Sequence, residues 1–324
     1  MRGTEKTRSY PPLAAVTGAT GFIGRHIVTA LAEAGWRVRI LARREPAIAE
    51  WRGLALQLVP GTMQDAPALE RLVEGVAAVI HAAGLIKAAR RQAFFDINCN
   101  AAASLAGIAS RLAPQPHFIQ VSTLAAREPR ISDYAASKRA GEDAVREVLG
   151  SRVTVLRPAA VYGPADPETL RFFRLARNRI VPLPGPPQAR AALIHVQDLA
   201  RLIVALAASA PTGEVLAAAD ARPRGYGWAE ILGMAARVVG NPHARLVRAP
   251  RALLHAVAWA GDLGRLLGSA TMMNSHKLRE ISHLDWSVSP VEQATPAGWA
   301  PRFEIESGFA DAVAWYRAAG WLPR

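Results

Sequence analysis

Cysteine is almost missing from this chain. Cys99 is the only one in 324 residues, so no disulfide framework can brace the fold, and a reducing compartment is implied. A lone thiol in an alanine-rich stretch reads as a small packed side chain. Aromatic residues are sparse at 6% and are not interleaved with a basic tract. With no nucleic-acid fold signature either, no nucleic-acid partner is expected. No apolar run is long enough to span a bilayer, because charge, Gly or Pro interrupts each one. Residues 1–12 carry charges and two prolines without an apolar core. Neither a signal peptide nor a membrane anchor is expected there, and the expected location is cytoplasmic. Repeats, coiled coils and low-complexity tails are missing, and no metal site is expected. Acidic residues are in deficit: 26 Asp and Glu face 39 Lys and Arg, a net charge of +13. That excess favours anionic partners, among them cofactor phosphates, acidic substrates and an anionic membrane surface.

Apolar residues make up 51% of the chain, ample for a large core. They are arranged around one stretch. An apolar run at residues 13–16 reads as a buried strand, and Gly18, Gly21 and Gly24 follow at three-residue spacing. Phe22, Ile23, Ile27, Val28 and Leu31 then recur at helical spacing. Gly18 permits a tight turn, Gly21 lets a pyrophosphate approach the backbone, and Gly24 lets the helix lie against the strand. The helix start offers free N–H groups and a positive dipole end to phosphates. This arrangement predicts dinucleotide binding.

The second strand pattern, residues 36–44, ends in Ala42, Arg43 and Arg44. An acid at that end would bond the adenine ribose, whereas guanidinium groups suit a 2′-phosphate. NADP(H) is therefore preferred over NAD(H). Further strands are predicted at 54–59, 76–80, 117–123, 153–158 and 191–196. Helices are predicted after Asp65, over 98–112, from Tyr134, from Leu199 behind an Asp198 cap, over 229–239 and over 307–315. Pro182 to Pro187 reads as a stiff loop. Alternating strands and helices imply an α/β fold with a doubly wound parallel sheet of Rossmann type. Residues 11–165 form the dinucleotide-binding domain, to which 189–212 return. Residues 166–188 and 213–324, with the short strand pattern 215–218, are assigned to a smaller, mostly helical substrate lobe.

Tyr134 and Lys138 stand four residues apart, on one face of a helix. An ammonium beside a phenol favours the phenolate, and an oxidised nicotinamide would add a second positive charge, so the tyrosine can work as acid or base. Lys138 is also placed to hold the nicotinamide ribose. Ser122 and Thr123, at the end of the fifth strand, offer hydroxyls to a substrate oxygen. His81, beside Ala82, Ala83 and Gly84, reads as a packed or capping histidine.

Taken together, the chain resembles the extended short-chain dehydrogenase/reductase superfamily, the NAD-dependent epimerase/dehydratase family. The resemblance rests on TGATGFIG at 17–24, HAAG at 81–84, Asn98, VST at 121–123, YAASK at 134–138, RPAAVYGP at 157–164 and IHVQDLA at 194–200. It extends to the carboxyl-terminal GWAPRF and GFADAVAWY segments. It implies Tyr134 as proton donor or acceptor, Lys138 as its partner and Thr123, ahead of Ser122, as the third catalytic hydroxyl. Asn98 matches a structural or relay position. Cofactor contacts are implied at Gly18, Thr20, Gly21, Phe22, Ile23, Gly24, Arg43, Arg44, Thr62, Met63, Ala82, Ala83, Gly84, Tyr134, Lys138 and Pro158.

Two departures bear on substrate. The acid that commonly contacts adenine is replaced by Thr62, which weakens that contact or moves it to the backbone of Met63. The arginine that nucleotide-sugar enzymes use for phosphates is replaced by Ala191, and strand alternation turns Arg190 away. An apolar segment at 252–267, with Trp259 in its middle and Arg251 and Arg265 near its ends, could line a greasy pocket, lie at a membrane surface or pack on the main domain. The leading expectation is an NADPH-dependent reductase of a hydrophobic ketone, from the 3β-hydroxysteroid dehydrogenase-like or bacterial keto-ceramide reductase branch. The alternatives are a nucleotide-sugar epimerase or dehydratase holding NAD tightly, and a non-catalytic NADPH-binding subunit. Peripheral contact with the inner membrane face and a homodimer are also expected as options.

Overall fold

The structure, a computed structural model, describes residues 11–266 and 274–323. Residues 1–10, and Leu267 at the end of the expected apolar segment, lie outside the described residues. Strand β1 (Leu13–Thr17) is buried along its length, as a strand covered on both faces must be. It is followed by α1 (Phe22–Glu33), β2 (Arg37–Ala42), β3 (Leu56–Pro60) and α2 (Ala66–Val73). Next come β4 (Ala78–His81), α3 (Arg91–Phe95), a π-helical turn (Asp96–Asn100), α4 (Ala101–Ser110), β5 (His117–Val121), α5 (Asp133–Leu149) and β6 (Val153–Pro158). The chain then adds β7 (Ala160–Tyr162), α6 (Pro167–Ala176), β8 (Ile180–Leu183), β9 (Arg190–Ala191), β10 (Leu193–His195), α7 (Val196–Ala207) and β11 (Val215–Ala218). The last described elements are β12 (Tyr226–Gly227), α8 (Trp228–Val238), β13 (Arg245–Arg248), α9 (Arg251–Leu266), α10 (Ser275–Ser282), β14 (Asp285–Trp286) and α11 (Ile305–Ala318).

Seven strands form one parallel sheet in the order β11-β6-β5-β4-β1-β2-β3. Alternation along β1 divides the core between its two faces. Ala14 and Val16 join Ile27, Leu31, Leu202 and Ile203 beneath α1 and α7. Leu13 and Ala15 join Leu69, Leu72, Leu105, Val145 and Leu149 beneath α2, α4 and α5. Strand β1 lies between β2 and β4, where the strand order reverses. Ligands of open α/β sheets bind beyond the carboxyl ends of the strands at that point. A separate core of Tyr162, Phe173, Ile231, Phe309 and Tyr316 organises α6, α8 and α11.

Four local expectations are corrected. Val215–Ala218 is not part of the smaller lobe; it pairs in parallel with β6 as the seventh strand of the main sheet. Helix does not begin at Asn98, which sits inside a π-helical turn that continues α3 into α4. Asp198 does not cap α7. His195 occupies the cap, and buried Asp198 accepts the Arg302 and Phe303 amides at 3.0 Å each. The proline stretch is partly a strand, because β8 pairs with β13. Helix α6 adds an element to those expected: Asp166 and Pro167 form its start signal, and Asp166 accepts the Glu168 and Thr169 amides at 2.9 and 3.0 Å.

Candidate active site

The turn after β1 explains its glycines. Gly18 has φ +67°, and a Cβ there would meet the Ala83 nitrogen at 2.5 Å. A Cβ on Gly24 would stand 2.0 Å from the Gly18 carbonyl oxygen, so α1 can approach β1 only with glycine at that position. Gly21 is the N-cap of α1 and supplies no side-chain cap, which leaves the first-turn amides for an anion. Ala82, Ala83 and Gly84 close the opposite wall: the Ala82 amide donates to the Thr17 carbonyl at 3.2 Å and the Ala83 amide to Thr17 Oγ1 at 3.4 Å. Thr20, Arg43 and Arg44 line an open cleft of about 840 Å³ with Ala42, Glu45 and Ile48. Both arginines are exposed. Thr62 is exposed and accepts from the Gln64 amide at 3.3 Å, while Met63 packs against the core under α2. Phe22 and Ile23 open α1, and Pro158 ends β6.

His81 is buried, with Nδ1 2.7 Å from Thr17 Oγ1. Burial, helped by the charge of Lys138, pushes its imidazole pKa down to about 3. The folded pKa lies below the unfolded one, so the unfolded chain binds more protons between 6.5 and about 3. Stability from this group is therefore lost as pH falls through that window. Urea unfolding of His81→Asn should show a pH slope there shallower by up to about 1.4 kcal/mol per pH unit. Parallel slopes for the variant and the parent would remove His81 from the acid response.

Ser132 caps α5, accepting the Ala135 amide at 3.0 Å, and fixes where the next turn presents Tyr134. The Thr123 side chain acts on the Tyr134 phenol, and the Phe94 ring stands 6.4 Å from the Tyr134 ring. Burial raises the phenol to about 12, against the lowering effect of the Thr123 hydroxyl, and the charge of Glu280 adds to the rise. Lys138 does not bring the phenol down in this state. Its Nζ donates to the Val121 carbonyl at 2.7 Å, and burial lowers its own pKa to about 8, with Glu142 opposing. Desolvation thus holds the phenol protonated here, and Thr123, not Lys138, is the group that lowers it.

Strand β5 ends at Val121, short of the expected 123, and Ser122 and Thr123 beyond it find different partners. The buried Ser122 hydroxyl donates to Glu142, whose carboxylate also accepts Arg157 Nε at 2.9 Å. Ser122 is thus held in an internal network, and Thr123 is the hydroxyl at Tyr134. Asn98 is buried; it accepts the Leu85 amide at 2.7 Å and donates to Ser137 Oγ at 2.9 Å. It ties the loop after β4 to α5, a structural use of the π turn.

Helix α10 supplies partners that local pattern did not reveal. Ser132 Oγ donates to Glu280 at 2.6 Å, the Asp133 amide to His276 Nδ1 at 3.2 Å, and Arg279 Nε to the Ile131 carbonyl at 2.9 Å. Glu142 continues the Tyr134–Lys138 face by one more turn, a placement that helical spacing alone makes readable. A second cleft, about 800 Å³, is lined by Arg190, Arg222, Arg224 and Asp285 among others. Arg222 pairs with Glu230 and covers the Tyr226 ring, and Arg190 donates to the Gly225 carbonyl at 3.3 Å.

A seven-stranded parallel sheet of the dinucleotide-binding type, with Thr123 just past β5, Tyr134 and Lys138 on α5 and Lys138 Nζ next to Gly84 after β4, defines an NAD(P)-dependent oxidoreductase of the short-chain type. A family model described as NAD dependent epimerase/dehydratase family matches residues 14–219, and the chain belongs to that family. It is 44% identical over 314 residues to ceramide reductase from Caulobacter vibrioides, covering 96% of each chain. It is 28% identical to sterol demethylase protein B from Methylococcus capsulatus, over 95% of this chain and 99% of that protein. Among solved structures, DesIV, a dTDP-glucose 4,6-dehydratase from Streptomyces venezuelae with NAD and TYD bound, matches with a TM-score of 0.72. Its 22% identity, over 96% of this chain and 99% of that one, carries the fold alone.

Proposed function

We propose that this protein reduces a ketone on a lipid-like substrate with NADPH, an oxidised ceramide being the sharpest candidate. The observation that carries the reading is the Thr123–Tyr134–Lys138 set in a chain 44% identical to ceramide reductase. The residues suit a dinucleotide: Gly18 and Gly24 let the turn and α1 pack closely on the sheet end, and the first turn of α1 has no side-chain cap. Those first-turn amides would hold the pyrophosphate, Arg43 and Arg44 the 2′-phosphate, and Lys138 the nicotinamide ribose. When bound, the reduced nicotinamide supplies hydride to the carbonyl carbon. Tyr134 delivers the proton to the carbonyl oxygen, and the Thr123 hydroxyl stabilises the phenolate left behind. Incubation with NADPH and an oxidised ceramide should consume nicotinamide absorbance. Unchanged absorbance across a panel of lipid ketones would sink the reading.

The cofactor preference has its own test. Replacing Arg43 and Arg44 together with alanine removes charge-assisted bonds to a 2′-phosphate, which is equivalent to roughly a 10- to 100-fold rise in KM for NADPH. Turnover with NADH should be unaffected. Equal losses with both cofactors would reassign the arginines to folding or solubility.

A second reading, a nucleotide-sugar epimerase or dehydratase, is favoured by the arginine-lined cleft. NAD retained through purification together with turnover of a UDP-sugar would support it over ketone reduction. The engagement of Arg222 and Arg190 by Glu230 and Gly225 weighs against it. The third reading, a non-catalytic subunit, has no need of the complete Thr123–Tyr134–Lys138 set.

A further inference from the structure

Helix α9 buries little. Ala258 and Gly261 face inward and Leu254 is half-buried. On the other side Trp259 is 68% exposed, Leu253 55%, Val257 47% and Leu263 45%. At 100° per residue, Leu253, Ala256, Val257, Ala260 and Leu263 share one face, and Trp259 borders it. Single exposed apolar side chains are ordinary, whereas a contiguous face of them marks an interaction surface. The segment that leads into this helix is cationic. Between Glu230 and Asp262 the sequence contains no acid and four arginines, Arg237, Arg245, Arg248 and Arg251. The last three are exposed. Asp262, the one acid of α9, is turned to Ser275, accepting its amide at 3.2 Å and its hydroxyl.

We propose that the outer face of α9 lies in the plane of an anionic lipid bilayer and holds the protein there. An exposed apolar face, preceded in the chain by exposed arginines with no acid among them, complements such a surface in both apolarity and charge. Sixteen residues are too short to cross a bilayer, and no helix among the described residues is long and apolar enough to do so. Docking also places the chemistry. Through Asp262 and Ser275, α9 is joined to α10, and α10 bonds Ile131, Ser132 and Asp133, directly before Tyr134. Only one helix separates the docking face from the catalytic tyrosine. The idea that substrate enters from that bilayer rests on the lipid-ketone reading; the docking itself does not.

The experiment is co-sedimentation of the full chain with vesicles of phosphatidylcholine alone, or with phosphatidylglycerol added, without substrate or cofactor. Binding to the phosphatidylglycerol vesicles that weakens with salt is expected. Trp259→Ser combined with Leu263→Ser should lower the partition coefficient at least about tenfold. Arg248→Gln combined with Arg251→Gln should lower it only on the anionic vesicles. Turnover of a water-soluble ketone should be unchanged in both variants. Absence of binding to anionic vesicles at low salt, or variants that bind like the parent, would overturn the proposal. So would concentration-dependent dimerisation lost in the Trp259→Ser, Leu263→Ser variant without vesicle binding, which would give the face to a second copy. Vesicle binding without lipid-ketone turnover would leave docking standing and remove the reductase reading, and the reverse result would do the opposite.

Discussion

Tyr134→Phe should lower kcat/KM by about two to four orders of magnitude while NADPH still binds with its original affinity. The substitution removes one oxygen from a phenol whose pKa burial has raised to about 12. At neutral pH that group is protonated, which is the state a reductase needs in order to deliver a proton to a developing alkoxide. Because the transfer occurs only in the transition state, the loss belongs in kcat rather than in KM. Phenylalanine keeps the ring near Phe94, and Thr123 keeps its bond from the Ala125 amide at 3.3 Å. Inactivity of the variant would therefore reflect chemistry and not collapse. Fluorescence titration with NADPH and steady-state rates on a ketone separate the two effects. Retention of more than about a tenth of the parent rate would be too much for a lost general acid and would move that role elsewhere. The parent rate should also decline as pH rises through about 8, where Lys138 loses its proton.

The nucleotide turn is legible because the glycine spacing is itself the signal: Gly24 is required by the Gly18 carbonyl six residues back, although the Ala82–Ala83 backbone that crowds Gly18 comes from the far-off end of β4. Tyr134 and Lys138 were legible through helical spacing. Their electrostatics were not. Spacing suggests a lysine that acidifies the tyrosine, whereas the environment is set by burial, by Glu280 from α10 and by Glu142 beneath. Glu280 lies 146 positions beyond Tyr134, and nothing in either segment announces the contact. The same limit explains β11. Its four residues carry only a weak apolar pattern, and pairing with β6 is what makes them part of the sheet. Choosing between Ser122 and Thr123 was not within reach of strand alternation. Both lie beyond the end of β5, and it is Glu142 on the adjacent helix that holds Ser122.

That buried carboxylate gives the second large effect. Glu142→Ala should cost about 3–5 kcal/mol of stability, a sizeable share of an ordinary domain's total of about 5–15. The Glu142 side chain is 1% exposed, and the Arg157 guanidinium that it neutralises is 14% exposed. Arg157 Nε reaches its two oxygens at 2.9 and 3.2 Å, and the Ser122 hydroxyl donates to it as well. Removing the acid leaves a largely desolvated cation and a buried hydroxyl without their acceptor, which is costlier than never having had the pair. Replacing both partners, Glu142→Leu with Arg157→Met, should recover most of the loss, since apolar groups of similar volume incur no such penalty. Urea unfolding of the two singles and the double measures the coupling directly. A single-variant cost below about 1 kcal/mol, the range of exposed pairs, would show that water reaches this network. The acid also holds up the pKa of Lys138, so in Glu142→Ala the decline in rate should begin at a lower pH than in the parent. That shift ties an internal ion pair to the charge state of Lys138.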